Sequence, residues 1–309
     1  MASKMKWLLM GYTGYATVDG IDTLMSSFSL TMNENVIQSN GVGRILHDDE
    51  FDRFKMDAVR DYPSYDISLS FDANYKIMDY FLSRVVTGFH SFIELRFYDD
   101  ASGIEYYFDN CCLTSLQLSV DNNAAAVLSV GFTAFKDEIE VNYDEYDYKQ
   151  KRNAPKEIVG DVLLPYWGWG VEYPDFVDED LYSFSISYSQ SVTPKFGCFG
   201  EDEDNAVRPK KIVFGVPELK YELVYIVADE THTHDYEIPS NRVALSRKTL
   251  LVKYKQRFWR DLKDRIEFDF DMSDCYPDTY SPQYANNGDV NKMTISGTVY
   301  GSVKYTKHH

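Results

Sequence analysis

Residues 26–41 read SSFSLTMNENVIQSNG, and residues 182–197 read YSFSISYSQSVTPKFG. The two stretches share a Ser-Phe-Ser-[Leu/Ile] core, in which Ser27 and Ser183 are 156 positions apart. The same spacing also joins Val36 to Val192, Gly41 to Gly197, Lys55 to Lys211 and Tyr65 to Tyr221. A repeat of about 150 residues is too long for a solenoid unit, which has about 20–50 residues. The pattern therefore predicts two fused copies of one globular domain.

The length of 309 residues agrees with two domains. We expect the first copy at residues 1–140 and the second at residues 161–309. Residues 141–160 between them are polar and lack a hydrophobic pattern, so we interpret them as a linker.

The chain is acidic and rich in aromatic residues, with a formal net charge of −18 and 16% Phe, Trp and Tyr. Tyrosine-rich segments favour strands, because these side chains pack well on a half-buried pleated surface. The acidity argues against a protein that grips nucleic acid, since such surfaces are basic. It is compatible with nucleic acid passing by, because an acidic wall repels phosphate.

Two common signals of an extracytoplasmic protein are missing from the sequence. No stretch approaches 18 continuous apolar residues, so we expect no membrane anchor. The apolar run at the N-terminus is too short for a secretory signal and is typical of a first strand. Cys111, Cys112, Cys198 and Cys275 form no CxxC pair, which favours free thiols in a reducing cytoplasm.

Hydrophobic periodicity predicts one helix among the strands of the first copy. Residues 24–36 and 65–71 alternate as strands. A helix follows, capped by Asp72 or Asn74 and ended by Gly88. Its apolar stripe consists of Ile77, Met78, Phe81, Leu82 and Val85. A hairpin and two further strands complete the copy, at 92–98, 104–109, 113–120 and 126–135.

The second copy repeats this order. Tyr221, Leu223, Tyr225 and Val227 match Tyr65, Ile67, Leu69 and Phe71. Residues 104–109 align with 266–271, the last strand lies at 292–300, and residues 240–246 are a candidate helix. We therefore predict a mainly β fold, with two tandem antiparallel β-sandwich or barrel domains and one flanking α-helix in each.

Signals for catalysis are weak, and we predict no catalytic residue, metal or cofactor. The chain has no GxSxG, P-loop or HExxH motif. His232 and His234 could place two imidazoles on one face of a strand, but a polar loop is the simpler interpretation. Acidic runs at 48–50 and 201–204 lack the spacing of an EF-hand. Acidic residues are so common that a carboxylate pair for glycoside hydrolysis stays an open alternative.

Four aromatic residues allow two interpretations. Trp167, Trp169, Phe258 and Trp259 are either anchors of an interface or part of a core.

The order of elements resembles the tail tube proteins of long-tailed bacteriophages. That order is a Ser-Phe-Ser-[Leu/Ile] strand, a long charged arm, a strand leading into an amphipathic helix, and closing strands. These proteins share their fold with the tubes of contractile injection systems and type VI secretion. The resemblance covers nearly the whole chain, once per copy, and rests on architecture rather than on a diagnostic motif.

The resemblance implies a structural virion protein without enzymatic activity. Such domains join sheet edges in a ring of six, and the rings stack into a tube that delivers DNA. Two fused domains imply a trimeric, pseudo-hexameric ring that assembles in the host cytoplasm and resides in the tail. The implied partners are further copies of the chain and sheath, baseplate and tail-terminator proteins, while DNA passes through the lumen unbound.

The resemblance also implies roles for particular residues. The inner sheet and ring interface are expected at Ser27, Phe28, Ser29, Leu30, Val36, Ser183, Phe184, Ser185, Ile186 and Val192. The arms at 42–62 and 198–217 would contact the next ring, through Asp48, Asp49, Glu50, Arg53, Glu201, Asp202, Glu203 and Asp204.

Three alternatives remain on the sequence alone. A baseplate or tail-terminator protein of this fold would form one ring without polymerising. A carbohydrate-binding module or hydrolase would use Trp167 and Trp169 and stay monomeric. A soluble effector or inhibitor would form no lattice.

Overall fold

The computed structural model is antiparallel and mainly β, with one α-helix in the part of the chain that it describes. The described residues are 14–33, 36–38, 58–60, 64–99, 104–135, 140–143, 164–174, 181–195, 209, 211–226, 247–256, 266–283 and 291–308. Within these ranges, no helix is long and apolar enough to cross a membrane.

The elements fall into two halves along the chain. The first half contains β1 (Gly14–Val18), β2 (Ile21–Met25), β3 (Ser27–Asn33), β4 (Val36–Gln38), β5 (Ala58–Arg60), β6 (Ser64–Asp72), α1 (Tyr75–Thr87), β7 (Ile93–Asp99), β8 (Ile104–Asp121), β9 (Val127–Phe135) and β10 (Glu140–Tyr143). The second half contains a 3₁₀ turn (Tyr166–Gly168), β11 (Trp169–Glu172), β12 (Leu181–Ser189), β13 (Val192–Lys195), β14 (Lys211–Phe214), β15 (Glu218–Ile226), β16 (Lys248–Lys255), β17 (Glu267–Gln283), β18 (Lys292–Val299) and β19 (Val303–His308).

One layer of the fold is an eight-stranded antiparallel sheet. Its order is β3-β6-β9-β8-β12-β15-β18-β17. The first four strands come from the first half and the last four from the second half. Because β8 pairs directly with β12, the sheet passes from one half to the other without a break.

Strands β8 and β17 are long because each belongs to two layers. The first part of β8 pairs with β7 and β10, and its last part pairs with β9 and β12. The first part of β17 pairs with β16 and β19, and its last part pairs with β18. The register shifts between Leu113 and Ser115 in β8 and between Pro277 and Thr279 in β17. Such bulges bend a strand, which lets it continue from one sheet into another.

Aromatic side chains fill the space between the layers. The rings of Phe28 and Phe97 lie 5.3 Å apart, and those of Tyr65 and Phe108 lie 5.8 Å apart. In the second half, Trp169 packs on Phe184 at 5.6 Å. Each half is thus a sandwich whose core lies under the eight-stranded sheet. Full burial of one such side chain contributes about 1.5–3 kcal/mol.

The first half confirms the clearest local predictions. Tyr65, Ile67, Leu69 and Phe71 are all buried in β6, as their alternation predicts. The predicted apolar stripe of α1 is buried as well. Asn74 caps the helix, because its side-chain oxygen accepts a 3.0 Å hydrogen bond from the Ile77 amide. The helix ends at Gly88, which adopts a φ of 80° that disfavours other residues.

Two predicted boundaries are wrong. The single strand predicted at 24–36 divides at Ser26, whose amide and hydroxyl both donate to the Ser70 carbonyl. This bend moves the chain from the β1 ladder to the β6 ladder. The strands predicted separately at 104–109 and 113–120 are one continuous strand, β8, whose pairing with β7 is irregular between Phe108 and Cys111.

The ladders also correct the residue matches between the halves. Leu30 lies opposite Ile67, and its counterpart Ile186 lies opposite Tyr221. Tyr221 therefore matches Ile67 and not Tyr65, because the connection between the paired strands is two residues shorter in the second half. Likewise, the bulges of β8 and β17 match Ser115 to Thr279, which are 164 positions apart. The predicted alignment of 104–109 with 266–271 used a spacing of 162.

Backbone hydrogen bonds connect the two halves near the predicted linker, which a free linker would not require. Residues 140–143 of β10 reach into the predicted linker and pair with β8. The Leu164 amide donates to the Ala73 carbonyl at 3.1 Å, and the Leu164 carbonyl accepts from the Ala126 amide at 2.9 Å. The start of the second half thus extends the first half's sheet. The helix predicted at 240–246 lies outside the described residues.

Helix α1 ties the two halves together through Asp79. This carboxylate accepts a 2.9 Å hydrogen bond from the Tyr305 hydroxyl and lies 2.7 Å from the Lys307 ammonium, both on β19. Burial raises the pKa of Tyr305, and the charge of Asp79 raises it further. The contact therefore favours a neutral Tyr305.

Replacing Asp79 by alanine tests this contact. Asp79→Ala should lower the free energy of unfolding by about 1–3 kcal/mol, because the half-buried Tyr305 hydroxyl loses its acceptor. Lys307→Ala removes only the exposed ion pair and should cost less than about 1 kcal/mol. Urea unfolding measures both, and equal losses would contradict the assignment.

A second prediction concerns alkaline pH. Burial is the first cause that raises the pKa of Tyr80, Tyr173, Tyr221, Tyr254 and Tyr305, for Tyr254 to about 12. Unfolded tyrosine ionises near pH 10, so above about pH 10 the unfolded chain loses protons first and folding stability falls. Denaturant unfolding between about pH 8 and pH 12, followed with tyrosinate absorbance, should show this loss, whereas constant stability would refute it.

Candidate functional site

The outward side of the eight-stranded sheet is lined by small polar residues, and we call it the polar face. One row across the strands consists of Ser27, Ser70, Ser129, Gln117, Ser187, Lys220 and Thr298. The next row consists of Ser29, Ser68, Gly131, Ser115, Ser189 and Glu218. Alternation places these residues opposite the buried core side, since successive side chains point to opposite faces.

Hydroxyl groups on the polar face bond to one another across strands. The Ser70 and Ser129 hydroxyls lie 3.1 Å apart, and those of Thr279 and Ser296 lie 2.6 Å apart. The Thr133 hydroxyl donates to Asp66 at 2.8 Å. These bonds satisfy polar groups within the sheet, which leaves a smooth surface of short side chains.

The polar face is indented. A depression of about 530 Å³ lies over β3, β6, β9, β8 and β12. Its lining includes Ser29, Ser68, Ser115, Ser129 and Ser187. The depression spans the border between the halves, so both halves contribute to one surface.

Charge on the polar face is mainly negative. The described carboxylates there are Asp66, Asp72, Asp121, Glu218, Glu222 and Asp278, and the described cations are Lys220 and Lys292. Lys220 lies 3.1 Å from Glu218, and the Lys292 ammonium lies 3.6 Å from the centre of the Tyr182 ring. Both cations therefore have partners, and the excess is acidic.

The sheet has two open edges within the described part of the chain. There, β3 pairs only with β6, and residues 279–283 of β17 pair only with β18. Neither segment contains a charged residue, since they read SFSLTMN and TYSPQ. Soluble proteins usually protect open edges with charges, prolines or covering segments, because free backbone groups invite pairing, and the second edge contains one proline, Pro282. Within the described residues, both edges are thus suited to pairing with a further strand.

Side chains at the first edge are less buried than their counterparts at the internal junction. Phe184, Ile186 and Tyr188 of β12 are at most 3% exposed, because β8 lies beside them. In β3, Phe28 and Leu30 are only half-buried and Met32 is 48% exposed. A strand beside β3 would bury these three residues as β8 buries those of β12.

The structure locates the residues predicted for a ring interface. Ser27, Phe28, Ser29 and Leu30 lie on the edge strand β3. Ser183, Phe184, Ser185 and Ile186 lie in β12 at the internal junction, and Val36 and Val192 lie outside the eight-stranded sheet in β4 and β13. Their role in a ring stays a prediction.

The predicted inter-ring residues lie outside the described residues, namely Asp48, Asp49, Glu50, Arg53, Glu201, Asp202, Glu203 and Asp204. The strand pairs at the base of each arm are described, β4 with β5 and β13 with β14. At the second base, Phe214 contacts His90 with ring centres 5.9 Å apart. Exposed apolar side chains lie nearby in sequence, Phe92 at 48% and Val216 at 92% exposure.

The structure gives less support to the other candidate site residues from the sequence. Trp169 is part of the core, at 8% exposure, and contacts Tyr254 and Phe268. Burial raises the pKa of the Cys112 thiol to about 12, so this thiol is unreactive near neutral pH. Within the described ranges, no cluster of three metal-ligating side chains exists. His232, His234, Phe258 and Trp259 lie outside those ranges.

The polar face itself was missed by sequence reasoning. The signal was present, because serines alternate with apolar residues in both SFSLT of β3 and SFSIS of β12. Alternation identifies two faces but does not tell which strands are neighbours. Only the ladder joins these serines into continuous rows.

A matched pair of substitutions tests the difference between edge and junction. In separate chains at low concentration, Phe184→Ala should lower the free energy of unfolding by about 3–5 kcal/mol. Phe28→Ala should lower it by about half as much or less, because the Phe28 side chain is only half-buried in a separate chain. Equal losses in urea unfolding would contradict an open edge at β3.

Comparisons with known proteins leave the family open. No protein-family model matches the chain, and no curated protein matches it. Function must therefore be inferred from the polar face and its two uncharged edges.

Proposed function

We propose that this chain is a structural virion protein, the tail tube subunit of a phage-like particle. Three copies form a pseudo-hexameric ring, and stacked rings form an acidic conduit for DNA ejection. The chain acts through assembly and performs no catalytic step. Its place is the virion tail, where sheath, baseplate and tail-terminator proteins are its expected neighbours.

One observation carries this proposal. The eight-stranded sheet repeats the same four-strand order in both halves and ends in two uncharged edges. The internal junction between β8 and β12 joins the end of one four-strand unit to the start of the next. Repetition of that junction between chains extends the sheet, and an indented sheet that repeats around an axis closes into a barrel.

The polar face suits the inside of such a barrel. Its side chains are mostly short hydroxyls, two pairs of which bond to each other, and both described cations have partners. A wall that grips single-stranded nucleic acid would combine basic grooves with exposed aromatic rings. The net charge of the described residues on this face is negative and repels phosphate, so DNA passes without adhesion.

The nearest alternative is a single ring, as in a baseplate or tail-terminator protein. It would use the same edges and would differ only in stacking, to which the arms contribute. A carbohydrate-binding module gains less support, because Trp169 is buried in the core and only the half-buried Trp167 of the predicted pair is accessible.

Electron microscopy of the purified chain over a concentration series tests the proposal. Rings or tubes with a central bore and threefold, nearly sixfold symmetry are expected. Isolated rings that never stack would transfer the proposal to the single-ring alternative. Separate chains at every concentration would overturn it, and a glycan-binding screen would follow.

Met32→Lys separates assembly from folding. Met32 is 48% exposed in the single chain, whereas its counterpart Tyr188 is 2% exposed at the internal junction. A lysine at position 32 should therefore leave the fold intact and prevent ring closure, because closure would bury an unpaired charge. Val86→Lys, at a 40% exposed site of α1, adds the same charge away from both edges and is the control. Light scattering and thermal unfolding give the two readouts, and normal rings from Met32→Lys would contradict the edge assignment.

A further inference from the structure

The two halves share one internal register. In the first half, Ser29, Ser68, Gly131 and Ser115 form a row across β3, β6, β9 and β8. In the second half, Ser185, Glu222, Ser296 and Thr279 form the corresponding row across β12, β15, β18 and β17. The bulges that precede Ser115 and Thr279 fix this match independently of sequence similarity.

The internal junction then supplies a template for an edge contact. In it, Ser115 lies opposite Ser189, and Gln117 lies opposite Ser187. The Gln190 amide extends this ladder with a 2.9 Å hydrogen bond to the Thr114 carbonyl. Seven residue pairs join the two strands.

We propose that β17 of one chain pairs with β3 of a second copy in the register of the internal junction. Thr279 then lies opposite Asn33, Ser281 opposite Thr31, and Gln283 opposite Ser29. These positions follow when β12 is replaced by its counterpart β3 and β8 by its counterpart β17. The inference rests on the proposed function and adds the identity, direction and register of the contact.

Residue types at the two edges suit this pairing. All six side chains on the polar side of the contact are uncharged and hydrogen-bonding. On the core side, Met32 takes the place of Tyr188 and gains the cover that it lacks in a single chain. Pro282 takes the place of Leu118 and cannot donate a ladder bond, so this contact has one donor fewer than its template. A proline at an edge also weakens pairing with foreign strands.

The register determines the shape of the barrel. The row that begins at Ser29 in β3 crosses the first half and reaches β12 at Ser189. In β12, the residue that corresponds to Ser29 is Ser185, so the row has shifted by four residues along the strand. A shift of four residues, at about 3.3 Å each along the strand, over four strands spaced about 4.8 Å apart gives a strand tilt of about 35°. This tilt does not depend on the number of copies. With three copies the barrel measures about 45 Å between opposite backbones.

Paired cysteines test the register. Thr31→Cys with Ser281→Cys places two thiols directly opposite across the contact, within reach of a disulfide. Ser27→Cys with Ser281→Cys displaces one thiol by four residues and should yield at least about tenfold less interchain product. Gln117→Cys with Ser187→Cys is the positive control, because it should link the internal junction within one chain. All variants carry Cys198→Ser, while Cys111, Cys112 and Cys275 are buried.

The outcomes separate this inference from the proposed function. Interchain disulfides in the first variant, on a non-reducing denaturing gel after assembly, support the register. If rings or tubes form by electron microscopy but the displaced variant gives more interchain disulfide than the first variant, the proposed register is wrong and the proposed function is unaffected. A linked control without any assembly or interchain product overturns both. Linked rings that do not stack support the register and favour the single-ring alternative.

Discussion

The backbone pairing of β8 with β12 is the constraint on which the rest of this structure depends. It fixes the direction of the second half relative to the first, because an antiparallel ladder allows one orientation in each register. A slip by one residue would turn the serines of β12 toward the core and Phe184 and Ile186 toward solvent. Hydrophobic burial therefore locks the register, and the register in turn aligns hydroxyls from both halves in common rows.

The long strands β8 and β17 extend this constraint into the second layer. Each is part of the eight-stranded sheet at one end and of the opposing layer at the other, so the layers cannot shift independently. Helix α1 adds a side-chain contact between halves through Asp79 and β19. The halves thus share backbone pairing, a continuous sheet and a helix contact.

Local patterns were sufficient to predict β6, α1 with a cap at Asp72 or Asn74, and β9, because each depends on alternation, helical spacing or turn residues nearby. The bend at Ser26 and the bulges of β8 depend on partners distant in sequence, so the strand boundaries predicted there were wrong. The match of Tyr221 to Tyr65 was also wrong. The connection between the paired strands is two residues shorter in the second half, and this changes the strand register although the alternating sequence pattern still aligns. The polar face required strand order, which one sequence does not contain.

The internal junction has a kinetic consequence for a ring built from such chains. Of six contacts between four-strand units in a three-chain ring, three arrive already formed within a chain. Tethering gives such contacts an effective concentration far above that of separate molecules. Assembly then depends less steeply on chain concentration than for six single-domain subunits, and partial rings have fewer open edges through which to aggregate. In the proposed ring, the two predicted arms belong to one chain and need not be identical, so each could contact a different neighbour.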